Sequence, residues 1–243
     1  LKKLFSDIAG DNNTLGKKNS LPDYLVVTGE LSSDGERVAL IDIANALRSL
    51  QNKIRAKGNE NFQIFVIPGN HDISNKNATD YSTLKGAPID GVNRNDFAKI
   101  FAGLGYPDMS FGEAADYYAN DEFDNVNLKY LPYETESRYV PSTNAKNIKF
   151  SYMSMNDWNQ ELGDGDLSYV ANCADGNTFV AIDGIVKGEI GGKVNSSVFT
   201  WLDSIKKDCL IGNMMSLTHH NVLQHFTMQE KWSKDYLFGN WEQ

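Results

Sequence analysis

Two rhythms of apolar and polar residues run along the chain. From Tyr24 to Thr28 the run Tyr-Leu-Val-Val-Thr is apolar and β-branched and breaks at Gly29, which predicts a buried strand ending in a loop. Val38, Ile41, Ala44, Leu47 and Ile54 then keep helical spacing as far as Lys57-Gly58, with Ser33 or Asp34 as the cap. A second buried strand, Gln63 to Ile67, ends at Pro68-Gly69. Upstream of these, Leu1, Leu4, Phe5 and Ile8 fall on one helical face.

From about residue 75 to 166 the periodicity weakens and Asn, Asp, Tyr and Gly dominate, apart from a short helix suggested by Phe97, Ile100, Phe101 and Leu104. This stretch reads as an elaborated insertion over a site. Strand-like segments return at Ile148 to Met155, Leu167 to Asn172 and Thr178 to Ile182. Val198, Trp201, Leu202 and Ile205 mark an amphipathic helix behind a Ser196-Ser197 cap, and a closing strand, Met214 to Thr218, delivers His219-His220. Strand, helix, strand order with polar residues at the strand ends is the α/β pattern in which active sites gather. No repeat and no flexible linker divides the chain, so a single domain over residues 1–243 is expected.

Composition narrows the function. The 23 Lys and Arg against 32 Asp and Glu leave a net charge of −9, which argues against a broad footprint on duplex nucleic acid. No apolar run approaches the roughly 18 residues that a bilayer span needs. Cys173 and Cys209 lack metal-site spacing and read as free thiols. The composition fits a bacterial cytoplasm or an exported protein alike, and oligomeric state is left open.

Three strand ends carry ligand chemistry: Glu30 after Gly29, Asn70-His71-Asp72 after Gly69, and His219-His220. A bridging carboxylate, an amide carbonyl and an imidazole suit Mn, Fe or Zn better than Ca or Mg alone. Two such ions a few Å apart would polarise a phosphoryl group and activate water near neutral pH.

With these residues the sequence resembles the calcineurin-like metallophosphoesterases, whose blocks in order are D-x-H, G-D, G-N-H-D/E, a lone or paired His, and G-H-x-H. Gly69-Asn70-His71-Asp72 matches the third block letter for letter, Gly29-Glu30 matches the second with Glu for Asp, and His219 occupies the fourth. The resemblance implies a two-sheet β-sandwich flanked by helices, the four-layer αββα fold, and a hydrolase that acts on a small phosphomonoester or phosphodiester with two divalent ions. It implies that Glu30, Asn70 and His219 bind metal. It also implies that His71 stabilises charge or protonates the leaving oxygen, that Asp72 orients the His71 imidazole, and that His220 is a second-shell or substrate contact. No D-x-H or G-H-x-H occurs in this sequence, so the expectation is a fold cut at both ends rather than a degenerate one. A binding or scaffold protein that has lost catalysis, and a single-metal hydrolase, are the alternatives.

Several further residues have plainer readings. Tyr117-Tyr118, Tyr130 and Tyr133 would form either an aromatic wall or ordinary packing, and His225 with Phe226 an amphipathic turn. Asp121, Glu122 and Asp124 read as a solvated face, and Asp164-Gly165-Asp166 as a turn.

Overall fold

The two apolar runs pair with each other. Tyr24–Thr28 (β1) lies parallel to Gln63–Ile67 (β2), in register from Tyr24 opposite Gln63 to Thr28 opposite Ile67. Both strands therefore finish level and deliver Gly29 and Pro68-Gly69 to one rim. The computed structural model describes residues 2–10, 21–73, 75, 77–80, 86–88, 91–119, 139–153, 166–186 and 191–220.

Around this pair the chain runs from Lys2–Ile8 (α1) through β1, Arg37–Ala56 (α2) and β2 to a two-residue ribbon, Thr79–Asp80 (β3) with Ala87–Pro88 (β4). Arg94–Ile100 (α3) and Phe111–Ala119 (α4) follow. A second sheet then forms from Ile148–Tyr152 (β5), Tyr169–Cys173 (β6), Asn177–Ala181 (β7) and Asn213–Leu217 (β8), with Ser196–Cys209 (α5) between the last two strands. β5, β6 and β7 are antiparallel neighbours, while β8 runs parallel to β7. The fold is mixed α/β, with two sheets and flanking helices.

Alternation of side chains explains how the layers join. Tyr169, Ala171, Phe179 and Ala181 face a common core with β2, whereas Val170 and Val180 face Trp201, Leu202 and Ile205 of α5. Between the sheets Phe65 stands 4.5 Å from Phe179 and 6.2 Å from Phe150, ring centre to ring centre. The Tyr169 hydroxyl crosses the gap to donate to the Val66 carbonyl at 3.1 Å. On β2, α2 packs Leu40, Ala44, Leu47 and Ile54 into the same core. The far edge of β2 is covered as well: Ile64 N–H donates to Gln51 Oε1 at 2.8 Å and Val66 N–H to the Leu104 carbonyl at 3.1 Å.

The structure departs from expectation in identifiable places. β1 is half-buried rather than buried, because among the described residues no strand pairs with its other edge. Residues 91–106, read as part of an insertion, supply Phe97, Ile100, Phe101, Leu104 and Tyr106 to the core. Helix α2 starts at Arg37 behind Glu36, not behind Ser33 or Asp34, since those residues are used by the loop described below. Asn195, not Ser196-Ser197, caps α5 by accepting from Ser197 N–H. Helix α4 was not anticipated, yet Ser110 and Glu113 exchange reciprocal hydrogen bonds at 3.0 and 3.2 Å, a capping box readable as Ser-x-x-Glu.

One buried cation ties the helical side together. The Arg48 guanidinium donates to the Ile100 and Ala102 carbonyls at the C-terminal end of α3 and lies 4.9 Å from the Tyr139 ring centre. Carbonyls at a helix end carry partial negative charge, so they offset a buried cation without a carboxylate.

Phe65 touches aromatic rings of both sheets and is fully buried. Phe65→Ala is therefore expected to destabilise the fold by about 3–5 kcal/mol in urea unfolding. A loss below about 1 kcal/mol would show that the sheets do not close on this ring.

Candidate functional site

The site begins with two glycines that pack against each other at the ends of β1 and β2. A Cβ on Gly29 would strike Gly69 N and Cα and lie 2.8 Å from His219 Nδ1; one on Gly69 would lie 2.5 Å from Glu30 N and 2.7 Å from Glu30 Oε1. Only glycine allows this approach, and Gly29 also has a φ of +94°. The contact brings together the residues that follow each strand.

A buried carboxylate then stitches the two loops. Asp72 Oδ1 accepts from Leu31 N–H at 2.7 Å, from Ser32 N–H at 2.8 Å and from the Ser32 hydroxyl at 3.1 Å, while Oδ2 accepts from Gly69 N–H at 2.8 Å. Burial pushes its pKa above the ordinary carboxylate value, opposed by the Gly69 and Ser32 N–H groups. Asp72 does not orient the His71 imidazole as expected; it fixes the loop that carries Glu30 against the loop that carries Asn70 and His71.

Glu30 sits in that loop with φ of +58°, the one non-glycine residue in the left-handed region among the described residues. Such a conformation costs on the order of 1 kcal/mol and is found where the surroundings enforce it. It turns the carboxylate toward His219 Nε2, at 3.2 Å from Oε1, and toward His71 N–H, at 3.4 Å.

His219 arrives from the end of β8. Its Nδ1 lies 2.8 Å from the Thr28 carbonyl, and a carbonyl only accepts, so Nδ1 carries the proton. In the neutral ring Nε2 then presents a lone pair, yet it faces Asn70 Oδ1 at 3.1 Å as well as Glu30 Oε1. Three electron-rich atoms turned toward one another suit a shared cation. The backbone carbonyl on the other ring nitrogen is the support that metal-binding histidines usually have. Among the described residues no group of three or more His, Cys, Asp and Glu side chains is placed to hold a metal ion; the third donor here is the Asn70 amide.

His71 points elsewhere. Its Nδ1 is 2.6 Å from the Ser33 carbonyl and 3.7 Å from Asp34 Oδ1, and the side chain is nearly half exposed. The Ser33 carbonyl, with Glu30, Asp34 and Asp72 nearby, raises its pKa above the ordinary imidazole value despite partial burial. Ser33 and Asp34 were read only as a helix cap, and no motif marks their part beside His71. His220 is buried, 3 % exposed, and packs edge to face on His219 with ring centres 4.8 Å apart, so it supports that ring rather than offering a face to substrate.

The aromatic-wall residues that are described are packing: Tyr118 is buried against Tyr139, and Tyr117 donates to Asp96 beneath the Arg37 guanidinium. Tyr130, Tyr133, Asp121, Glu122, Asp124, Asp164, Gly165, His225 and Phe226 lie outside the described residues. Cys173 and Cys209 are free and buried. No helix among the described residues is long and apolar enough to cross a membrane.

A family model described as calcineurin-like phosphoesterase matches residues 1–235. No curated protein matches the chain.

Two substitutions separate strain from support in this site. Glu30→Gly should raise stability by about 0.5–1 kcal/mol in urea unfolding, because glycine relieves the left-handed backbone, while weakening divalent-ion binding in calorimetry. Asp72→Ala should lower stability by about 2–4 kcal/mol, since it leaves three backbone N–H groups of two loops without their acceptor. A stable Asp72→Ala protein would refute the stitching role.

Proposed function

The chain belongs to the calcineurin-like phosphoesterase family, and from that premise we propose that it hydrolyses a small phosphomonoester or phosphodiester with two divalent ions, Mn, Fe or Zn, held at the strand-end rim. The observation that carries this reading is the approach of His219 Nε2 to Asn70 Oδ1 at 3.1 Å and to Glu30 Oε1 at 3.2 Å, a donor set that a divalent ion can share. The net charge of −9 favours a small substrate over duplex nucleic acid.

The proposed architecture is the four-layer αββα sandwich. It is supported by the core between the two sheets, by α2 packed on β2, and by α5 packed on the opposite side of the second sheet. The reading as one domain is supported by a core that draws side chains from Ala9 to Leu217.

In this proposal Glu30, Asn70 and His219 would hold metal. Bound ions of this kind supply charge neutralisation at phosphoryl oxygens and make water acidic enough to react near neutral pH. His71 acts on the leaving side. The Ser33 carbonyl holds Nδ1, which leaves Nε2 as the nitrogen that donates a proton to the departing oxygen, and the neighbouring carboxylates favour the protonated ring that this role requires. Asp72 acts through the backbone, keeping His71 and Glu30 at a fixed separation. His220 keeps His219 in place.

The test is hydrolysis of bis-p-nitrophenyl phosphate and p-nitrophenyl phosphate with Mn²⁺, with and without chelator. Turnover is expected to vanish on chelation and to fall about 10²- to 10⁴-fold in His71→Ala. His219→Ala is expected to lose divalent-ion binding as well. A folded protein with no turnover on either ester under any divalent ion would overturn the proposal.

A further inference from the structure

One charged side chain outside the proposed chemistry reaches the rim loops of both sheets. Arg94 is the first residue of α3 and is largely buried, its side chain 11 % exposed. On one side it grips the loop after β7: Nε donates to Asp183 Oδ2 at 2.7 Å, and a terminal nitrogen donates to the Ile185 carbonyl at 2.5 Å. Asp183 is itself fixed, because its carboxylate also accepts from Ile185 N–H at 2.9 Å and from Leu167 N–H at 3.1 Å. It stands two residues past Ala181, as His219 stands two residues past Leu217, the partner of Ala181 across the parallel strands β7 and β8. The anchor of Arg94 is therefore level with His219.

On the other side the same segment holds the loop that follows β1. Val92 N–H donates to the Gly35 carbonyl at 3.1 Å, and Asp96, in the first turn of α3, pairs with Arg37 at the start of α2 at 3.4 Å. Gly91 packs so closely on Asn75 that a Cβ there would lie 2.9 Å from the Asn75 carbonyl oxygen, and Asn75 Nδ2 donates to Asp34 Oδ1 at 3.4 Å. Gly35 in turn lies against the backbone of His71: its φ is +79°, and a Cβ on it would lie 3.1 Å from the His71 carbonyl oxygen and 3.2 Å from that of Asp72. The loop held in this way is the one whose Ser33 carbonyl stands 2.6 Å from His71 Nδ1.

We propose that Arg94 is a positioning residue for His71. Anchored on Asp183 and on the Ile185 carbonyl, it seats the start of α3 against Gly35 and so holds the Ser33 carbonyl where it orients the His71 imidazole. The role calls for a guanidinium, whose rigid planar fork engages a carboxylate and a carbonyl at once, whereas an ammonium is a point charge on a flexible stem. Asp183 needs the same cation, since its side chain is 1 % exposed and an unpaired carboxylate there would be costly.

That His71 gives a proton to a leaving oxygen rests on the phosphoesterase reading; that Arg94 fixes the orientation of its ring does not, and the test separates the two. The first readout is the tautomer of the neutral His71 ring, from long-range ¹H–¹⁵N spectra of the full chain in mildly alkaline buffer with Zn²⁺, a diamagnetic ion. The His71 signals are identified by their absence in His71→Ala. A carbonyl held on Nδ1 enforces the Nδ1–H form. In Arg94→Met the ring is expected to shift toward the Nε2–H form that free histidine prefers, and Arg94→Lys, which keeps a charge beside Asp183, to recover part of the wild-type spectrum. Because Arg94→Met strands the Asp183 carboxylate, the double variant Arg94→Met with Asp183→Asn removes the contact without leaving a buried charge, and it should show the same shift. A wild-type tautomer in either methionine variant would overturn the proposal.

The second readout is turnover of phenyl and p-nitrophenyl esters of the class that the wild type hydrolyses. A misplaced proton donor costs most where the leaving oxygen is most basic, while a general loss of packing lowers both rates alike. Arg94→Met is therefore expected to lower kcat about 10- to 100-fold on the phenyl ester and by a smaller factor on the p-nitrophenyl ester, with KM little changed. Equal losses on the two esters would also refute the positioning role. A wild type that hydrolyses neither ester would refute the phosphoesterase reading instead, and the ring tautomer would then decide by itself whether Arg94 positions His71.

Discussion

The Asp72 carboxylate and the glycine contact beneath it are the constraint on which the site depends. Gly29 and Gly69 let two strand ends approach until their backbones touch, and Asp72 converts that approach into a fixed junction by accepting hydrogen bonds from both loops. Without the glycines the strands could still pair, but Glu30 would collide with the neighbouring loop. Without the carboxylate, the N–H groups of Leu31, Ser32 and Gly69 would be left unsatisfied in a partly buried position. The left-handed backbone at Glu30 is held by the same junction, which offsets strain that an isolated loop would release.

Electrostatics at the rim follow from this geometry. His219 Nδ1 donates a hydrogen bond to the Thr28 carbonyl, which turns Nε2 toward two oxygen atoms brought in by the other strands. His71, on the loop after β2, is steered by the Ser33 carbonyl and stands among Glu30, Asp34 and Asp72, all of which favour its protonated form. Both histidines set Nδ1 against a backbone carbonyl, but their surroundings differ: His219 Nε2 faces Asn70 Oδ1 and Glu30 Oε1, while the His71 side chain stands half in solvent. Farther along the rim, Arg94 and Asp183 hold the loop after β7, so the walls of the site are tied to α3 as well as to the sheets.

Much of this was legible before any coordinates. The runs at Tyr24–Thr28 and Gln63–Ile67 match their strands residue for residue, because a continuous β-branched stretch bounded by glycine has few other uses. β6, β7 and β8 shift by one or two residues and β5 ends at Tyr152 rather than Met155, as hydrogen-bond register and not hydrophobicity sets where a strand ends. The stretch from 75 to 166 was least legible: apart from the short helix suggested by Phe97, Ile100, Phe101 and Leu104 it reads as an elaborated insertion, but the Phe97 ring packs on Phe101 and Tyr106 inside the core. The start of α2 was misplaced because Ser32, Ser33 and Asp34 look like caps while their polar atoms serve Asp72, His71 and the turn.

The sequence by itself determined which side chains of ligand type stand at the strand ends and in what order: Glu30, Asn70, His71, Asp72 and His219, each just after an apolar run, with glycine ahead of the first two. Those are local facts of residue type and spacing. What each one does was decided only by the tertiary structure. Whether Asp72 faces an imidazole or four donors in two loops, and whether His220 meets solvent or a neighbouring ring, depends on contacts between segments as much as 191 residues apart, such as Thr28 with His219. Residue type limits what a side chain can bond to; only the packing of distant strands chooses among the partners it allows.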